Sequence, residues 1–320
     1  MKIIQFQPGH PPKLAGIDEM ASAQHRFFWL DVERADSGWP ERVQNWLGVR
    51  FDERHVRDTL NDTHPPYFDT TDDYDLLIVR AICSDSLPEF PRTCPIAFII
   101  TGNAIVSVRQ PGDSLFDKVH SLYLGNIRTQ PMNIAWLLYQ LLNRITDGLL
   151  AYRGDTTELL SSWQELLLKK DGEIIDWHAL IRLHGQLRRI EMTIDSQMDA
   201  LSDWREQTNL SLDNSLEVRF NDLREHLRRV YNHAVVVQHD IDSMVQIYFS
   251  ANTQRTNDIL QFLTIISAIF LPLNLIAGLF GMNFSHLPLL DRWYGPLLTS
   301  TLMVGIVISL LVWFRHKRWV

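Results

Sequence analysis

The stretch at residues 259–280, ILQFLTIISAIFLPLNLIAGLF, decides the fold of this chain. It carries no charged side chain, and a helix of about 20 apolar residues is long enough to cross the hydrocarbon core of a bilayer. A second uncharged run, at residues 293–314, lies between Arg292 and Arg315. Two such runs in close succession predict a hairpin of two membrane spans at the C-terminal end of the 320 residues.

The polar and small residues of the first span recur on one face of the predicted helix. Alternating steps of three and four residues from Asn257 reach Leu260, Thr264, Ser267, Leu271, Asn274, Gly278 and Gly281. An average step of about 3.5 residues keeps one helix face against a partner. Two interpretations stay open: small residues let helices pack closely, or polar groups line a water-filled path. A path requires several copies of the chain around an axis, because two helices per chain cannot enclose a pore.

The first span and the residues after it resemble the signature of the CorA family of divalent-cation transporters. The matching features are Thr256-Asn257 before the span, Pro272 within it and the triplet Gly281-Met282-Asn283 at its outer end. The resemblance implies a funnel-shaped α+β fold, with an N-terminal α/β cytoplasmic domain, long stalk helices and a C-terminal two-helix membrane hairpin. It also implies a homopentamer in the lipid bilayer that moves Mg²⁺, with Co²⁺ or Ni²⁺ able to share the path.

Periodicity and proline usage divide the rest of the chain. Apolar runs of strand length at 74–83, 95–100 and 103–109 predict a sheet. No proline occurs between Pro131 and Pro272, and helical spacing there predicts long helices over 132–168, 174–204 and from about Asp213 to Gly281. The expected organisation is a cytoplasmic α/β domain at 1–130, a helical hairpin at 131–212, the cytoplasmic part of the stalk helix at 213–258, a pore-lining first span at 259–282, an outer loop at 283–292, a second span at 293–314 and a basic cytoplasmic tail at 315–320.

The charges indicate where the two termini lie. The N-terminal sequence MKIIQFQPGHPPK has no apolar core of signal-peptide length, whereas Arg315, Lys317 and Arg318 follow the second span. Because positive residues favour the cytoplasmic side, we expect a multi-pass protein of a bacterial inner membrane with both termini in the cytoplasm. A net charge of −8 argues against a nucleic-acid partner.

The chain contains two cysteines, Cys83 and Cys94. We expect both to be buried thiols, because free cysteine is among the most buried residue types and a cytoplasmic domain lies in a reducing compartment. A disulfide or a metal-binding pair is the alternative.

The outer end of the first span is the expected selectivity filter. Carbonyl groups at a helix C-terminus carry partial negative charge, and several copies of Asn283 around an axis would add amide oxygens, which suit hard cations. The striped face has no carboxylate, cysteine or histidine within the membrane, so we expect a hydrated ion held through its waters by Asn283, then by Asn274, Thr264 and Asn257. The resemblance also implies a hydrophobic gate at Leu260 and Leu271, which would close the path by dewetting; leucines that face lipid or pack are the alternative.

A metal sensor is implied by a second match to the family. Residues 220–226, FNDLREH, resemble the stalk motif whose aspartate binds a regulatory Mg²⁺ together with an aspartate of the neighbouring subunit. The corresponding positions here are Asp222 and Asp58. Two facing carboxylates repel until a cation bridges them, so bound metal would favour the closed state. The alternative is that both are solvated surface charges.

Zinc is the alternative substrate. Asp222, His226 and His233 fall on one face of the stalk helix and form a possible Zn²⁺ site, and a zinc-transporting branch of the same superfamily, the ZntB type, shares the predicted architecture. The outer loop contains His286 and a single late carboxylate, Asp291. Two further classes stay open: a membrane-anchored enzyme, for which no phosphate-binding loop, nucleophile elbow or H-E-x-x-H motif occurs, and a non-transporting scaffold or sensor.

Overall fold

The computed structural model describes residues 1–16, 26–87, 91–125, 130–168, 177–282 and 294–317. The chain forms two compact units, Met1–Met244 and Val245–Val320. The strands are β1 (Lys2–Gln7), β2 (His10–Leu14), β3 (Phe27–Glu33), β4 (Tyr67–Thr70), β5 (Asp75–Ile82), β6 (Thr93–Ile100) and β7 (Ala104–Arg109). The helices are α1 (Trp39–Leu47), α2 (Glu53–Leu60), α3 (Leu115–Gly125), α4 (Ile134–Leu168), α5 (Trp177–Gln207), α6 (Asn214–Phe280) and α7 (Gly295–His316).

The first unit is built on a seven-stranded sheet. Its strand order is β2-β1-β3-β7-β6-β5-β4, and β3 and β7 run parallel while the other neighbours are antiparallel. The central strand β6 is apolar on both faces, and both β6 and β7 are almost wholly buried. Continuous apolar strands of this kind require cover on both sides of the sheet.

Helices supply that cover and create two hydrophobic cores. On one face, α3, α4, α5 and the first part of α6 pack around side chains such as Trp29, Phe98 and Trp204. On the other face, α1 and α2 cover a smaller core that includes Trp39 and Phe51. The smaller layer holds the helix that carries Asp58.

The long helices confirm the predictions from periodicity, whereas several short elements were missed. The stalk helix, predicted from about Asp213 to Gly281, is α6 at Asn214–Phe280, and the Asp213 carboxylate accepts a hydrogen bond from the Leu216 amide at 2.6 Å. The sequence did not indicate β1, β2, β4 or α3. The expectation of free thiols was wrong: Cys83 and Cys94 form a disulfide, because the β5–β6 pairing brings their Cα atoms to 5.3 Å.

The second unit contains the membrane hairpin. Among the described residues, α6 and α7 are the helices that are long and apolar enough to cross a membrane. Between them lies a groove of about 820 Å³, to which α6 contributes Ala268 and Pro272 and α7 contributes apolar and small residues that include Gly305 and Ser309. The side of α6 around Ala268 and Pro272 therefore faces α7 across this groove.

Candidate metal-ion path and sensor

The predicted stripe of α6 is exposed. Asn257, Leu260, Thr264, Leu271, Asn274 and Gly278 are all exposed, and Ser267 is half-buried. The two leucines are 53% and 68% exposed, respectively. This face is therefore open to another chain, to lipid or to water.

The stripe is separate from the face that α7 covers. Ala268 and Pro272 lie beside the groove with α7, and Ile265 is the buried residue of this span. In a helix Ile265 and Pro272 are about 100° around the axis from the stripe residues Thr264 and Leu271, respectively, and Ala268 lies at the border between the two faces. Because the stripe residues other than Ser267 are exposed, packing between the two spans of one chain does not explain the polar stripe.

The stripe offers oxygen ligands alone. The Thr264 hydroxyl donates to the Leu260 carbonyl at 2.7 Å, which leaves the lone pairs of its oxygen free to accept from a water. Asn257 and Asn274 add amide oxygens on the same face. Amide and hydroxyl oxygens suit Mg²⁺ and its water shell, whereas softer metals prefer nitrogen or sulfur ligands.

The end of α6 is tightly built around Gly281. The Gly281 amide donates to the Ala277 carbonyl at 2.9 Å, and a Cβ atom at position 281 would lie 3.0 Å from that same carbonyl oxygen. A larger residue would therefore require the Ala277 carbonyl to shift by a few tenths of an ångström. Met282 is 53% exposed. Asn283, the centre of the predicted filter, lies outside the described residues, as do His286 and Asp291.

The helix that carries Asp58 is held firmly at its start. Asp52 caps α2 by accepting from the Arg54 amide at 2.8 Å, and hydrogen bonds from Arg54 lower the pKa of Asp52 to about 2. The buried His55 ring joins the Tyr74 hydroxyl at 2.8 Å to the Asp69 carboxylate at 3.0 Å. These contacts fix α2 against β4 and β5.

Asp58 has a histidine neighbour that the sequence analysis did not assign to it. Its Oδ1 atom lies 3.6 Å from His64 Nε2, and 31% of the Asp58 side chain is exposed. The pair forms because the chain turns back after α2, where the His64 amide donates to the Asn61 carbonyl. His64 directly precedes Pro65-Pro66, which favour a turn. A histidine in a turn six residues after Asp58 is the sequence feature from which this contact could have been predicted.

Asp222 lies exposed on α6. Within the described parts of the chain, no hydrogen bond or ion pair joins it to Asp58. Both predicted sensor carboxylates are therefore accessible to a partner, since the Asp58 side chain is 31% exposed and Asp222 is exposed.

The predicted zinc site on the stalk is wrong. No group of three potential ligands occurs among the described residues, which include Asp222, His226 and His233. His233 Nε2 instead lies 2.9 Å from the Thr157 hydroxyl of α4, and burial lowers its pKa. His226 buries its Nδ1 atom. His233 therefore joins α6 to α4.

Comparison with known proteins gives a consistent result. The family described as "CorA-like Mg2+ transporter protein" matches residues 24–318. The cobalt/magnesium transport protein CorA of Thermotoga maritima is 25% identical over 286 residues, which are 87% of this chain and 79% of that protein.

Two solved structures share the fold. The CorA magnesium transporter from Methanocaldococcus jannaschii matches with a TM-score of 0.84 at 20% identity, over 100% of this chain and 99% of that one. The ZntB cytoplasmic domain from Vibrio parahaemolyticus matches with a TM-score of 0.59 at 17% identity, over 79% of this chain and 98% of that one. The full-length match confirms the predicted α+β architecture, with an N-terminal sheet domain, a long helix and a C-terminal helix.

Proposed function

We propose, since the chain belongs to the family of CorA-like Mg²⁺ transporter proteins, that it moves Mg²⁺ across a bacterial inner membrane through a homopentameric pore. Members of this family transport divalent cations, so the chain is a membrane transporter of divalent cations and not an enzyme. Mg²⁺ is the proposed physiological ion, and Co²⁺ or Ni²⁺ would use the same path.

The observation that carries this proposal is the uncharged polar stripe of α6, exposed on a face that α7 does not cover. Five copies of α6 with this face inward would enclose a path of amide, hydroxyl and carbonyl oxygens. Such a path cannot replace the whole water shell of Mg²⁺, which dehydrates reluctantly. The ion would pass largely hydrated, held first by a ring of Asn283 beside Gly281 and Met282, and then by Asn274, Thr264 and Asn257.

Opening would be controlled by leucine rings and by metal on the first unit. Rings of Leu260 and Leu271 would exclude water from the closed path. A cation bridging Asp222 of one copy and Asp58 of the next would hold neighbouring copies together and favour that closed state. Loss of cytoplasmic metal would release the contact between neighbouring copies and favour the open state. The transported ion would in this way inhibit its own uptake.

The charges at the end of α7 support the proposed orientation. Arg315 and Lys317 follow the apolar part of α7, and the Lys317 ammonium lies 5.1 Å from the centre of the Trp313 ring. Aromatic and basic residues together are typical of a membrane surface on the cytoplasmic side. Both termini would then lie in the cytoplasm.

Zinc transport is the second candidate, and the likeness of the first unit to a ZntB cytoplasmic domain favours it. The oxygen-only stripe weighs against zinc, because Zn²⁺ sites are usually built with nitrogen or sulfur ligands. A non-transporting scaffold with the same fold would show no flux of either ion.

The test is ion flux into liposomes that contain the purified full-length protein. Mg²⁺ and Zn²⁺ are compared side by side, with a pH gradient applied in each direction. Asn283→Ala removes the proposed filter amide, and Asn232→Ala, an exposed position of α6 in the first unit, is the matched control.

Mg²⁺ flux that ignores the pH gradient, disappears in Asn283→Ala and persists in Asn232→Ala supports the magnesium pore. Zn²⁺ flux that follows the pH gradient, with little Mg²⁺ flux, would assign the chain to zinc transport. Absence of flux for both ions, in protein that is folded and correctly inserted, would favour the scaffold.

A further inference from the structure

The disulfide between Cys83 and Cys94 lies in a unit that the proposed orientation exposes to the cytoplasm. Cytoplasmic thiols are normally kept reduced, so a permanent bond at this position is unexpected. We propose that Cys83 and Cys94 form a reversible redox pair that exchanges with low-molecular-weight thiols and disulfides. The proposal concerns a part of the molecule that has no role in the ion path, and its test requires no flux measurement.

The strands hold the two sulfur atoms together in either redox state. Cys94 pairs with Ala81 in the β5–β6 register, and the Cys83 amide donates to the Arg92 carbonyl at 2.9 Å. Eight consecutive residue pairs from Asp75↔Ile100 to Ile82↔Thr93 fix this register. Reduction therefore breaks one covalent bond but leaves the thiols adjacent, which favours renewed closure over intermolecular reaction.

A small pocket gives access to the pair. Cys83 and Cys94 are only 5% and 7% exposed, but both line a cavity of about 200 Å³. Sites for drug-sized ligands are usually about 300–1,000 Å³, so this cavity suits a small thiol rather than a larger ligand or a redox protein. The carboxylates of Asp85 and Asp113 also line it.

The redox state changes a hydrogen bond to the turn before α3. The Cys94 sulfur lies 2.9 Å from Gln110 Oε1; as a thiol it can donate its hydrogen to that oxygen, and as a disulfide it has none to donate. Gln110 begins the turn that contains Gly112, whose φ of 76° lies in the left-handed region that side-chain-bearing residues rarely adopt. Asp113 then accepts from the Leu115 amide at 2.9 Å at the start of α3 and from the Ser84 hydroxyl at 2.7 Å.

The exchange is balanced without a metal or cofactor. A thiolate of the pair attacks a low-molecular-weight disulfide RSSR, forms a mixed disulfide and releases one RSH. The second thiolate then displaces the other RSH and closes the Cys83–Cys94 bond. Two electrons and two hydrogens pass from the protein to the reagent, and excess RSH reverses both steps.

The charge of the pocket predicts which reagents react fastest. Asp113 lies beside the pair, and Asp85 is compensated in part by Arg92 Nη1 at 3.2 Å. A positively charged thiol will be concentrated in the pocket relative to a negatively charged one, most strongly at low ionic strength. Asp85→Asn should reduce this preference.

The test uses oxidised full-length protein in detergent. Cysteamine and 2-mercaptoethanesulfonate are compared at equal thiolate concentration, and free thiols are alkylated with iodoacetamide and counted by intact mass. We expect two labels to appear in the folded protein, at least twofold faster with cysteamine, with a smaller ratio in Asp85→Asn. Reduced protein that is treated with cystamine before alkylation should take up no label, because the disulfide has closed again.

Single-cysteine variants show whether the two thiols act as a pair. In Cys83→Ser and Cys94→Ser, cystamine should leave one stable cysteamine adduct, because no second thiolate can displace it. Labels that appear only after denaturation would overturn the proposal and make the disulfide purely structural. Failure of cystamine to close the bond in folded wild-type protein would overturn it as well.

Discussion

Arg109 binds both carboxylate oxygens of Asp31 in the interior of the sheet domain. Arg109 Nε lies 3.0 Å from Oδ1 and 3.0 Å from Oδ2, and Nη2 lies 3.0 Å from Oδ2. The two side chains are 4% and 2% exposed. Ser107 donates to Asp31 at 2.9 Å, and Arg109 Nη1 donates to the Asp113 carbonyl at 2.5 Å. The pair joins β3 to β7, the parallel neighbours of the sheet, and its polar atoms are well supplied with partners.

Replacement of Arg109 by methionine should destabilise the first unit severely. The variant leaves the Asp31 carboxylate buried without its cation, and loss of one member of a buried ion pair costs about 3–5 kcal/mol. The measurement is chemical or thermal unfolding of the full-length protein in detergent. The double variant Arg109→Met, Asp31→Asn removes both charges and should recover part of the loss. Equal stability of the single and double variants would contradict a charge-based explanation.

The elements of this fold that could be predicted from the sequence are those that depend on neighbouring residues rather than on contacts between distant ones. The membrane spans and α6 could be predicted because hydropathy and helical spacing are local properties of residues 214–280 and 295–316. The stripe from Asn257 to Gly278 could be predicted from the same spacing. The side of α6 that faces α7 could not, because the sequence does not show that the groove lies at Ala268 and Pro272.

The missed elements depend on contacts between distant residues. β2 has the sequence HPPKL, in which prolines disfavour a strand except at a sheet edge, and it is indeed the edge neighbour of β1. β4 has four residues, too few for an alternating pattern. The Cys83–Cys94 bond depends on the register of β5 against β6, and the approach of His64 to Asp58 depends on a turn after α2.

A polar side chain at Leu271 should weaken the proposed gate. Leu271 is 68% exposed on the stripe, and rings of leucine close a narrow path by excluding water. Leu271→Ser should raise Mg²⁺ flux into liposomes severalfold when the metal concentration on the cytoplasmic side is high, which is the condition proposed to close the wild-type protein. A fluorescent Mg²⁺ indicator inside the liposomes measures the initial rate.

Leu273→Ser is the matched control for this substitution. Position 273 is two residues along the helix and so about 200° around it from Leu271, on a side that does not belong to the stripe. Its flux should remain close to that of the wild type. An equal rise in both variants would show that helix packing, rather than the path, was disturbed.

Loss of the Asp222 charge should weaken feedback by cytoplasmic metal. Asp222 is exposed and pairs with no described residue, so Asp222→Asn removes a proposed ligand with little effect on folding. The Mg²⁺ concentration that halves the flux should rise about tenfold, the equivalent of about 1.4 kcal/mol of binding. Asp58→Asn should produce a shift in the same direction.

Glu225→Gln is the control for Asp222→Asn, because it removes the same charge from an exposed position three residues along α6. It should leave the closing concentration unchanged. If Glu225→Gln and Asp222→Asn shift it equally, the effect arises from the general surface charge of α6 and not from a metal site.

The stability of the first unit should fall as the pH decreases from 7.5 to 5.5, because burial lowers the pKa values of His120 and His233. His120 stacks on Trp29 with ring centres 4.4 Å apart, and the charged groups around it are Asp31, Asp117, Arg109 and Lys2. With a folded-state pKa below the unfolded value of about 6.5, the unfolded chain binds the proton first. Stability is then constant above about pH 7 and decreases below it.

His120→Phe separates this effect from other titrations. Neither ring nitrogen of His120 has a hydrogen-bond partner among the described residues, so phenylalanine can keep the stacking on Trp29 without a titrating group. The thermal midpoint of the full-length protein should depend less on pH in this variant than in the wild type. The corresponding difference in the free energy of unfolding is up to about 1.4 kcal/mol for each unit by which the His120 pKa is shifted. His239→Asn, at an exposed position of α6, should keep the wild-type dependence. The same pH dependence in His120→Phe and wild type would show that His120 does not bind its proton differently in the folded and unfolded states.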